Sequence, residues 1–429
     1  MGYQVLARKY RPTRFADLIG QPHVVKAMGN ALRTGRLAQA FLFTGSRGTG
    51  KTSSARILAA ALNCAEPDDF EPCGKCDSCQ AISRSEDLDV IEMDAASNSR
   101  VDDIRERLES VGTRPARGKY RIFIIDEVHM LSTSAFNALL KTIEEPPAHV
   151  KFILATTNPE KIPETVISRC QRYDFRRVTN SDTVARMLDI CQKEEMTPQD
   201  GVLPLLADLA EGGMRDALGR LDQLVAFNGT SPSVEDALKV FGLVSREKLL
   251  HLFDQLAEGN AAEGVMFTEE VFNQGKDVAE ILASLISITR IMLFIVASGG
   301  DDRLIDVAKD ELPALQKTAN KFGLQGLVYM AELLNDCRSR VRRAAFPRVI
   351  VETTFIKMAM VPKLESLDTL IARLDEAADA PIDTAHNVTN MRPASSKDDE
   401  KPVNNDKEQQ PSSSTKQAVD NVKRVFKAR

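Results

Sequence analysis

The chain has 429 residues, 43% of them hydrophobic, which is enough for about two to four domains with cores of their own. A net charge of −5 and an isoelectric point near 5.8 exclude a globally basic, stand-alone DNA binder, so any contact with DNA must come from a local patch or from several subunits presenting one face. The most apolar stretch, residues 279–297, is interrupted by Glu280 and Arg290 and reads as a buried helix of a soluble bundle rather than a membrane span. The N-terminus carries no basic-then-apolar signal, so the expected location is the cytoplasm.

Ala40-Phe41-Leu42-Phe43-Thr44 predicts a short buried strand. It runs into Gly45-Ser46-Arg47-Gly48-Thr49-Gly50-Lys51-Thr52, a complete G-x-x-x-x-G-K-[ST] phosphate-binding loop. The glycines let successive backbone N–H groups curl around phosphates, Lys51 can reach the β/γ oxygens, and the Thr52 hydroxyl can ligate Mg²⁺. Residues 52–63 place Ile57, Leu58, Ala61 and Leu62 at helical spacing, giving the helix whose N-terminus faces the phosphates. Strand, loop and helix stand in the required order, which favours a nucleotide site over a surface glycine loop.

Four of the seven cysteines follow at once, Cys64, Cys73, Cys76 and Cys79, spaced C-x₈-C-x₂-C-x₂-C. Thiolates so placed can close a tetrahedral shell around Zn²⁺ with no open position, a structural rather than catalytic site. An iron–sulfur cluster uses similar runs, and disulfides are the third alternative, disfavoured in a reducing compartment. Cys170, Cys191 and Cys337 are isolated and read as small buried apolar residues.

Residues 89–93 predict a second strand. Tyr120-Arg121-Ile122-Phe123-Ile124-Ile125 predicts a third, ending in Asp126-Glu127-Val128-His129. Acids at the C-terminal end of such a strand lie at the crevice where open α/β sheets bind ligands. Asp126 is the candidate metal-side carboxylate, and Glu127 the candidate base that polarises water for attack on the γ-phosphate; an acidic strand cap is the bland alternative. A fourth strand over residues 150–155 precedes Thr156-Thr157-Asn158, where Thr157 or Asn158 could sense the γ-phosphate, or simply cap the strand.

From Ser181 the pattern turns helical: residues 181–195, 200–211 and 214–227 read as three helices, and Asn228-Gly229-Thr230-Ser231-Pro232 is a cluster of turn formers marking a boundary. Amphipathic helices follow to about residue 362, among them residues 246–257, 278–297 and 324–343. The expected architecture is an α/β P-loop domain with a parallel sheet over residues 1–178 (cysteine module 64–79), a helical lid over 179–228, an all-α domain over 233–362, and a mostly disordered tail over 363–429. Residues 378–415 are too polar to bury a core. Ala418, Val419, Val422, Val425 and Phe426 give the last fourteen residues one apolar stripe, either a frayed tail or a helix folding on a partner.

Residues 1 to about 362 resemble the gamma/tau family of bacterial DNA polymerase III, the AAA+ motors of the sliding-clamp loader. The resemblance runs through Tyr3-Gln4-Val5-Leu6-Ala7-Arg8-Lys9-Tyr10-Arg11-Pro12, the phosphate loop, the four cysteines and Ile125-Asp126-Glu127-Val128-His129-Met130-Leu131. It continues in Phe136-Asn137-Ala138-Leu139-Leu140-Lys141, Glu144-Glu145-Pro146-Pro147, Ser168-Arg169-Cys170 and Met214-Arg215-Asp216-Ala217-Leu218. It implies ATP at the phosphate loop, zinc on the cysteines, Arg169 as an arginine finger offered to ATP on a neighbouring subunit, and Arg215 as a sensor on the subunit's own nucleotide. Arg8 and Arg11 could approach the nucleotide or simply be solvated. The resemblance also implies ATP hydrolysis driving a hetero-pentamer that loads the sliding clamp onto primed DNA within the polymerase III holoenzyme, a DNA-directed DNA polymerase. Arg100, Arg105 and Lys141 are candidates for the DNA backbone, with solvated helix faces an equal account. Arg338, Arg340, Arg342, Arg343 and Arg348 are read as pairing with acidic neighbours in the helical collar. The residues after Pro362 are too few for the long form's polymerase- and helicase-binding domains, which leaves that tethering to the tail alone. A small-molecule kinase with a zinc lid and a non-catalytic scaffold subunit are the rival classes. About 180 helical residues oppose the first, and intact Lys51, Thr52, Asp126 and Glu127 oppose the second.

Overall fold

The computed structural model describes residues 4–96, 110–299 and 312–363. Arg100, Arg105 and the tail from residue 364 lie outside the described residues. The N-terminal half alternates helices and strands: α1 (Leu6–Lys9), α2 (Pro22–Thr34), β1 (Ala40–Gly45), α3 (Lys51–Asn63), α4 (Asp77–Arg84), β2 (Val90–Asp94), β3 (Arg121–Asp126), α5 (Thr133–Glu144), β4 (Val150–Thr156), α6 (Glu164–Ile167) and β5 (Gln171–Phe175). Among the described residues the strands form one parallel sheet in the order β2-β3-β4-β1-β5.

The apolar runs make these strands because both sheet faces are covered. Phe41, Phe43, Ile122, Ile124, Ile153 and Ala155 point to one face, against Val24 and Met28 of α2 and Ile57 and Leu58 of α3. Leu42, Phe123, Ile125, Phe152 and Leu154 point to the other, against Phe136, Leu139 and Ile143 of α5. Alternation along each strand divides the side chains between the two layers. Strand β5 was not expected from sequence. It is an edge strand that buries only Tyr173 and Phe175 and leaves Gln171, Arg172 and Asp174 exposed.

The helical part contains α7 (Asn180–Lys193), α8 (Val202–Leu209), α9 (Met214–Asn228), α10 (Val234–Val240), α11 (Arg246–Ala257), α12 (Ala261–Asn273), α13 (Val278–Ser298), α14 (Leu312–Val341) and α15 (Pro347–Met360). The first three coincide closely with the helices expected for the lid. The expected turn cluster at residues 228–232 follows α9 directly, and α10 begins beyond it. Ala237 of α10 is fully buried in the same cluster as Met187, Ile190, Leu206, Leu218 and Leu221, so the first helix beyond the turns packs into the lid's core. A turn cluster ends a helix without ending a core. Leu6 of α1 completes that cluster, and its backbone N–H donates to Asp222 at 3.0 Å.

The collar core joins α11 to α15, with Leu252, Phe253, Leu285, Met292, Leu327 and Phe355 among its buried residues. Gly323 (φ 66°, ψ 173°) kinks α14. Helix α13 is long and apolar enough by composition to cross a membrane. Ile281, Leu285, Ile288, Met292 and Ile295 are instead buried in the collar core. Arg340 pairs with Asp336 at 3.1 Å and Arg348 with Glu352 at 2.7 Å. Arg220 of α9 crosses from lid to collar, 3.3 Å from Glu280 of α13, with its guanidinium 5.3 Å from the centre of the Phe241 ring.

Candidate functional site

Sheet order sets the site. β4 lies between β1 and β3, so the loop after β1, the acids after β3 and the threonines after β4 all emerge at one edge. Two glycines show why residues 45–50 take this course. A Cβ on Gly45 (φ 145°) would sit 2.4 Å from the Phe175 carbonyl oxygen, and one on Gly48 (φ 77°) 2.9 Å from Gly213 Cα at the start of α9. The loop therefore runs hard against β5 on one side and the lid on the other. Ser46 and Thr49 close it internally through a 2.9 Å bond from the Thr49 hydroxyl to the Ser46 carbonyl. Arg47 is exposed and lies 3.8 Å from Asp216 of the lid.

Lys51 opens α3 and is buried, its Nζ donating to the carbonyls of Gly45 at 2.8 Å and Ser46 at 2.7 Å. Burial lowers its pKa, against an upward pull from Glu127 and Asp126. The Thr52 hydroxyl donates to Asp126 Oδ2 at 2.6 Å, so the metal-ligand pair read from two distant motifs is in direct contact. Asp126 Oδ1 accepts the Glu127 N–H at 2.9 Å.

Glu127 has a left-handed backbone (φ 45°, ψ 46°), a conformation that costs a non-glycine residue about 1–2 kcal/mol. Its Oε2 accepts from the Thr157 N–H at 3.0 Å and the Thr157 hydroxyl at 2.9 Å, with His129 Nδ1 3.3 Å away. Asn158 donates from Nδ2 to Glu160 at 2.9 Å and presents its Oδ1 to the Thr157 hydroxyl at 3.0 Å. Arg215 is exposed on the first turn of α9, and its charge acts with those of Arg56 and Arg8 on Arg11; burial first, then these like charges, lower the Arg11 pKa. Arg169 is not brought to this site. It lies exposed after α6, 3.0 Å from Glu144, with Nη1 donating to the Thr165 carbonyl. Lys141 is exposed on α5.

The cysteine module sits behind α3. The sulfurs of Cys64, Cys73, Cys76 and Cys79 all lie within 4.8 Å of one another, the one such ligand group of three or more among the described residues. Backbone N–H groups point at the sulfurs: Lys75 and Cys76 at Cys73 (3.4 and 3.3 Å), Cys73 at Cys64 (3.3 Å) and Cys79 at Cys76 (3.5 Å). The Lys75 and Cys76 amides hold the Cys73 thiol down to about 6, the thiolate a metal needs, while burial pushes Cys79 up. Cys191 and Cys337 are buried as expected, whereas Cys170 is only partly so.

Sequence reasoning missed Gly213 and Asp216, which bring the lid onto the phosphate loop, and His129 as a neighbour of Glu127. It also missed residues 14–21, which border the loop. Gly-Gly at 212–213 was the available signal for the first of these.

This fold and site define a P-loop ATPase of the AAA+ class, with a helical lid against its phosphate loop. Residues 20–179 match the family described as DNA polymerase III, delta subunit. Residues 183–230 match DNA polymerase III clamp loader subunit, ATPase lid domain, and residues 232–374 match DNA polymerase III subunits gamma and tau domain III. DNA polymerase III subunit tau of Bacillus subtilis (strain 168) is 41% identical over 385 residues, covering 88% of this chain and 68% of that protein. The tau subunit of Escherichia coli (strain K12) is 38% identical, covering 89% of this chain and 59% of that protein. The gamma subunit of Buchnera aphidicola is 35% identical, covering 83% of this chain and 97% of that protein. The chain belongs to the gamma/tau family of DNA polymerase III subunits.

Proposed function

We propose that the chain is the ATP-hydrolysing motor subunit of a clamp loader, assembling with other loader subunits into a hetero-pentamer that places a sliding clamp on primed DNA. The observation that carries the nucleotide chemistry is the Thr52–Asp126 contact at 2.6 Å, with Lys51 adjacent to Thr52 and Glu127 adjacent to Asp126. The N–H groups of residues 45–52 and Lys51 would hold the phosphates. Thr52 and Asp126 would hold Mg²⁺, which when bound neutralises charge on the β- and γ-oxygens. Glu127 orients the attacking water and takes its proton, steadied by the two Thr157 donors on Oε2. Thr157 thereby links the γ-phosphate edge of the sheet to the base. Arg215 approaches the nucleotide from the lid, and Arg169 acts on ATP of the adjacent subunit, consistent with its contacts in its own chain being to Glu144 and Thr165 rather than to the phosphate loop.

The four thiols fit Zn²⁺. Bonds of about 2.3 Å place tetrahedral sulfurs about 3.8 Å apart, and Cys73 and Cys79 stand 4.0 Å apart. A multi-iron cluster would hold its thiolates wider. Contacts to DNA backbone through Lys141, and to a polymerase or helicase through the tail, complete the reading.

The test is Glu127→Gln. Its amide oxygen can still accept from Thr157, so shape and ATP affinity should persist while hydrolysis falls about 10²–10⁴-fold. Near-normal turnover in this variant would remove Glu127 from the mechanism.

A further inference from the structure

The cysteine module has a feature that holding a metal does not explain. Between Cys64 and Cys73 the chain makes a four-residue tip, closed by paired backbone bonds between Asp68 and Glu71 (3.0 and 2.9 Å), with Asp69 in a left-handed conformation (φ 58°). All four side chains of this tip reach the segment that precedes β1. Asp68 lies 3.6 Å from Arg14, and both carboxylate oxygens of Asp69 accept from Arg33 Nε at 2.8 Å. Phe70 packs beside Phe15 (ring centres 5.8 Å apart) and under the Arg33 guanidinium at 4.5 Å. It lies so close to α2 that a Cβ on Gly29 would be 3.2 Å from its ring.

Glu71 is buried, and its two oxygens go separately to the backbone: Oε2 accepts from Phe15 N at 2.8 Å and Oε1 from Ala16 N at 2.9 Å. Charge-assisted bonds of this kind are about twice as strong as neutral ones. Without the carboxylate, neither N–H has this acceptor.

The captured strand of chain leads to the phosphate loop. Leu18 Cδ2 is the nearest atom to a Cβ placed on Gly50, at 3.7 Å, and Gly20 rests on Val178 at the entry to the lid. Fully buried Gln21 then fastens the far end, donating to the Arg176 carbonyl at 2.7 Å and accepting from the Arg176 N–H at 3.0 Å. Residues 14–21 are thus a strap pinned at the cysteine module and at the lid entry, with an apolar side chain against the phosphate loop between the two pins. The phosphates have the loop amides and Lys51, and their metal has Thr52 and Asp126, all polar groups. Leu18 gives the strap an apolar surface beside the loop, of the kind that suits a nucleoside.

We propose that the tip at residues 68–71 positions the nucleoside side of the crevice, with Glu71 as the positioning residue, so that the metal module sets nucleotide affinity through the strap. The inference rests on the phosphate loop's binding ATP. It assigns Glu71 no contact with the nucleotide itself; the carboxylate acts by fixing where Leu18 stands.

The experiment compares full-length wild type with Glu71→Ala, measuring affinity for ATP and for inorganic tripolyphosphate, together with amide hydrogen exchange at Phe15 and Ala16. Preorganisation lost from the strap should weaken ATP about tenfold, leave tripolyphosphate within about twofold, and remove protection of the two amides. Glu71→Gln, which keeps one acceptor oxygen, should fall between. If Glu71→Ala does not fold, Arg33→Ala loosens the tip from an exposed pair and should shift the ATP-to-tripolyphosphate ratio in the same direction, about two- to threefold. Unprotected amides with unchanged ATP affinity would overturn the proposal, and so would equal loss of both ligands, the mark of a merely structural role. Failure of wild type to bind ATP would instead sink the reading of the phosphate loop.

Discussion

Replacing Arg169 by alanine separates action on a neighbour from support of the fold. In its own chain Arg169 makes an exposed ion pair with Glu144 at 3.0 Å, the two side chains being 40% and 50% accessible, and one bond to the Thr165 carbonyl. An exposed pair contributes about 0–1 kcal/mol, and in a chain of this size 1 kcal/mol moves the melting temperature by no more than about 2–4 °C. Neither contact involves the phosphate loop, Asp126 or Glu127, so ATP affinity of the isolated chain should be unchanged. A guanidinium acting on the transferring phosphoryl group is worth about 10³–10⁵ in rate, or about 4–7 kcal/mol of barrier. Steady-state ATPase should therefore collapse in the assembled loader with clamp and primed DNA, while the isolated chain keeps its basal rate and stability. Mixed assemblies carrying Arg169→Ala next to Lys51→Ala should depend on the order of the subunits. A basal rate that falls as far in the isolated chain as in the assembly, or an assembled rate within about threefold of wild type, would refute action across the interface.

Three further outcomes follow from the described contacts. In Gly48→Ala the new methyl meets Gly213 across a left-handed φ. The strain of about 1–2 kcal/mol should push the lid off the loop and weaken ATP binding about tenfold or more, and unchanged affinity would show the contact to be incidental. Asp89 is buried, which pushes its carboxyl up, but the amides of Gly118, Ala116 and Arg117 outweigh this and hold it below the ordinary range. Its stabilisation is thus present above the unfolded pKa near ~3.9 and lost as pH falls through the lower folded value. Asp89→Asn should cost about 2–4 kcal/mol in denaturant unfolding at pH 7, and a difference from wild type that stayed constant down to about pH 3 would contradict the assignment. Cys73→Ser should release one zinc per chain and lower stability more than kcat; iron in the purified protein, or a well-folded metal-free chain, would overturn the zinc reading.

The parts of the site that were legible in sequence are those where chemistry needs neighbours along the chain. Residues 45–52 and the Asp126-Glu127 pair carry their function in local order, and buried strands announce themselves as unbroken apolar runs. The same holds for the cysteines, whose knuckles need short spacings. β5 escaped because an edge strand with one buried face alternates Gln-Arg-Tyr-Asp-Phe and lacks such a run. Asp89 read as the start of a strand, whereas its carboxylate gathers three amides from residues 116–118, a partnership that no spacing rule encodes. Glu71 escaped for the same reason, its two backbone donors lying 55 and 56 residues away. The packing of α10 on the lid escaped because turn formers report where a helix stops, while the burial of Ala237 shows what the core takes in beyond them.

That fourth helix in the lid core gives the chain a gear. With Ala237 walled in, a lid that turns as a body carries α10 with it, and the turning must be absorbed within residues 241–245 or passed through Arg220 to Glu280. Glu280 stands in the first turn of a 21-residue helix, about 31 Å long at 1.5 Å per residue. A tilt of about 10° at its gripped end would sweep the other end through about 5 Å. One ion pair is thus placed to turn a small rotation beside the nucleotide loop into a displacement on the scale of a side chain, at the far side of the collar.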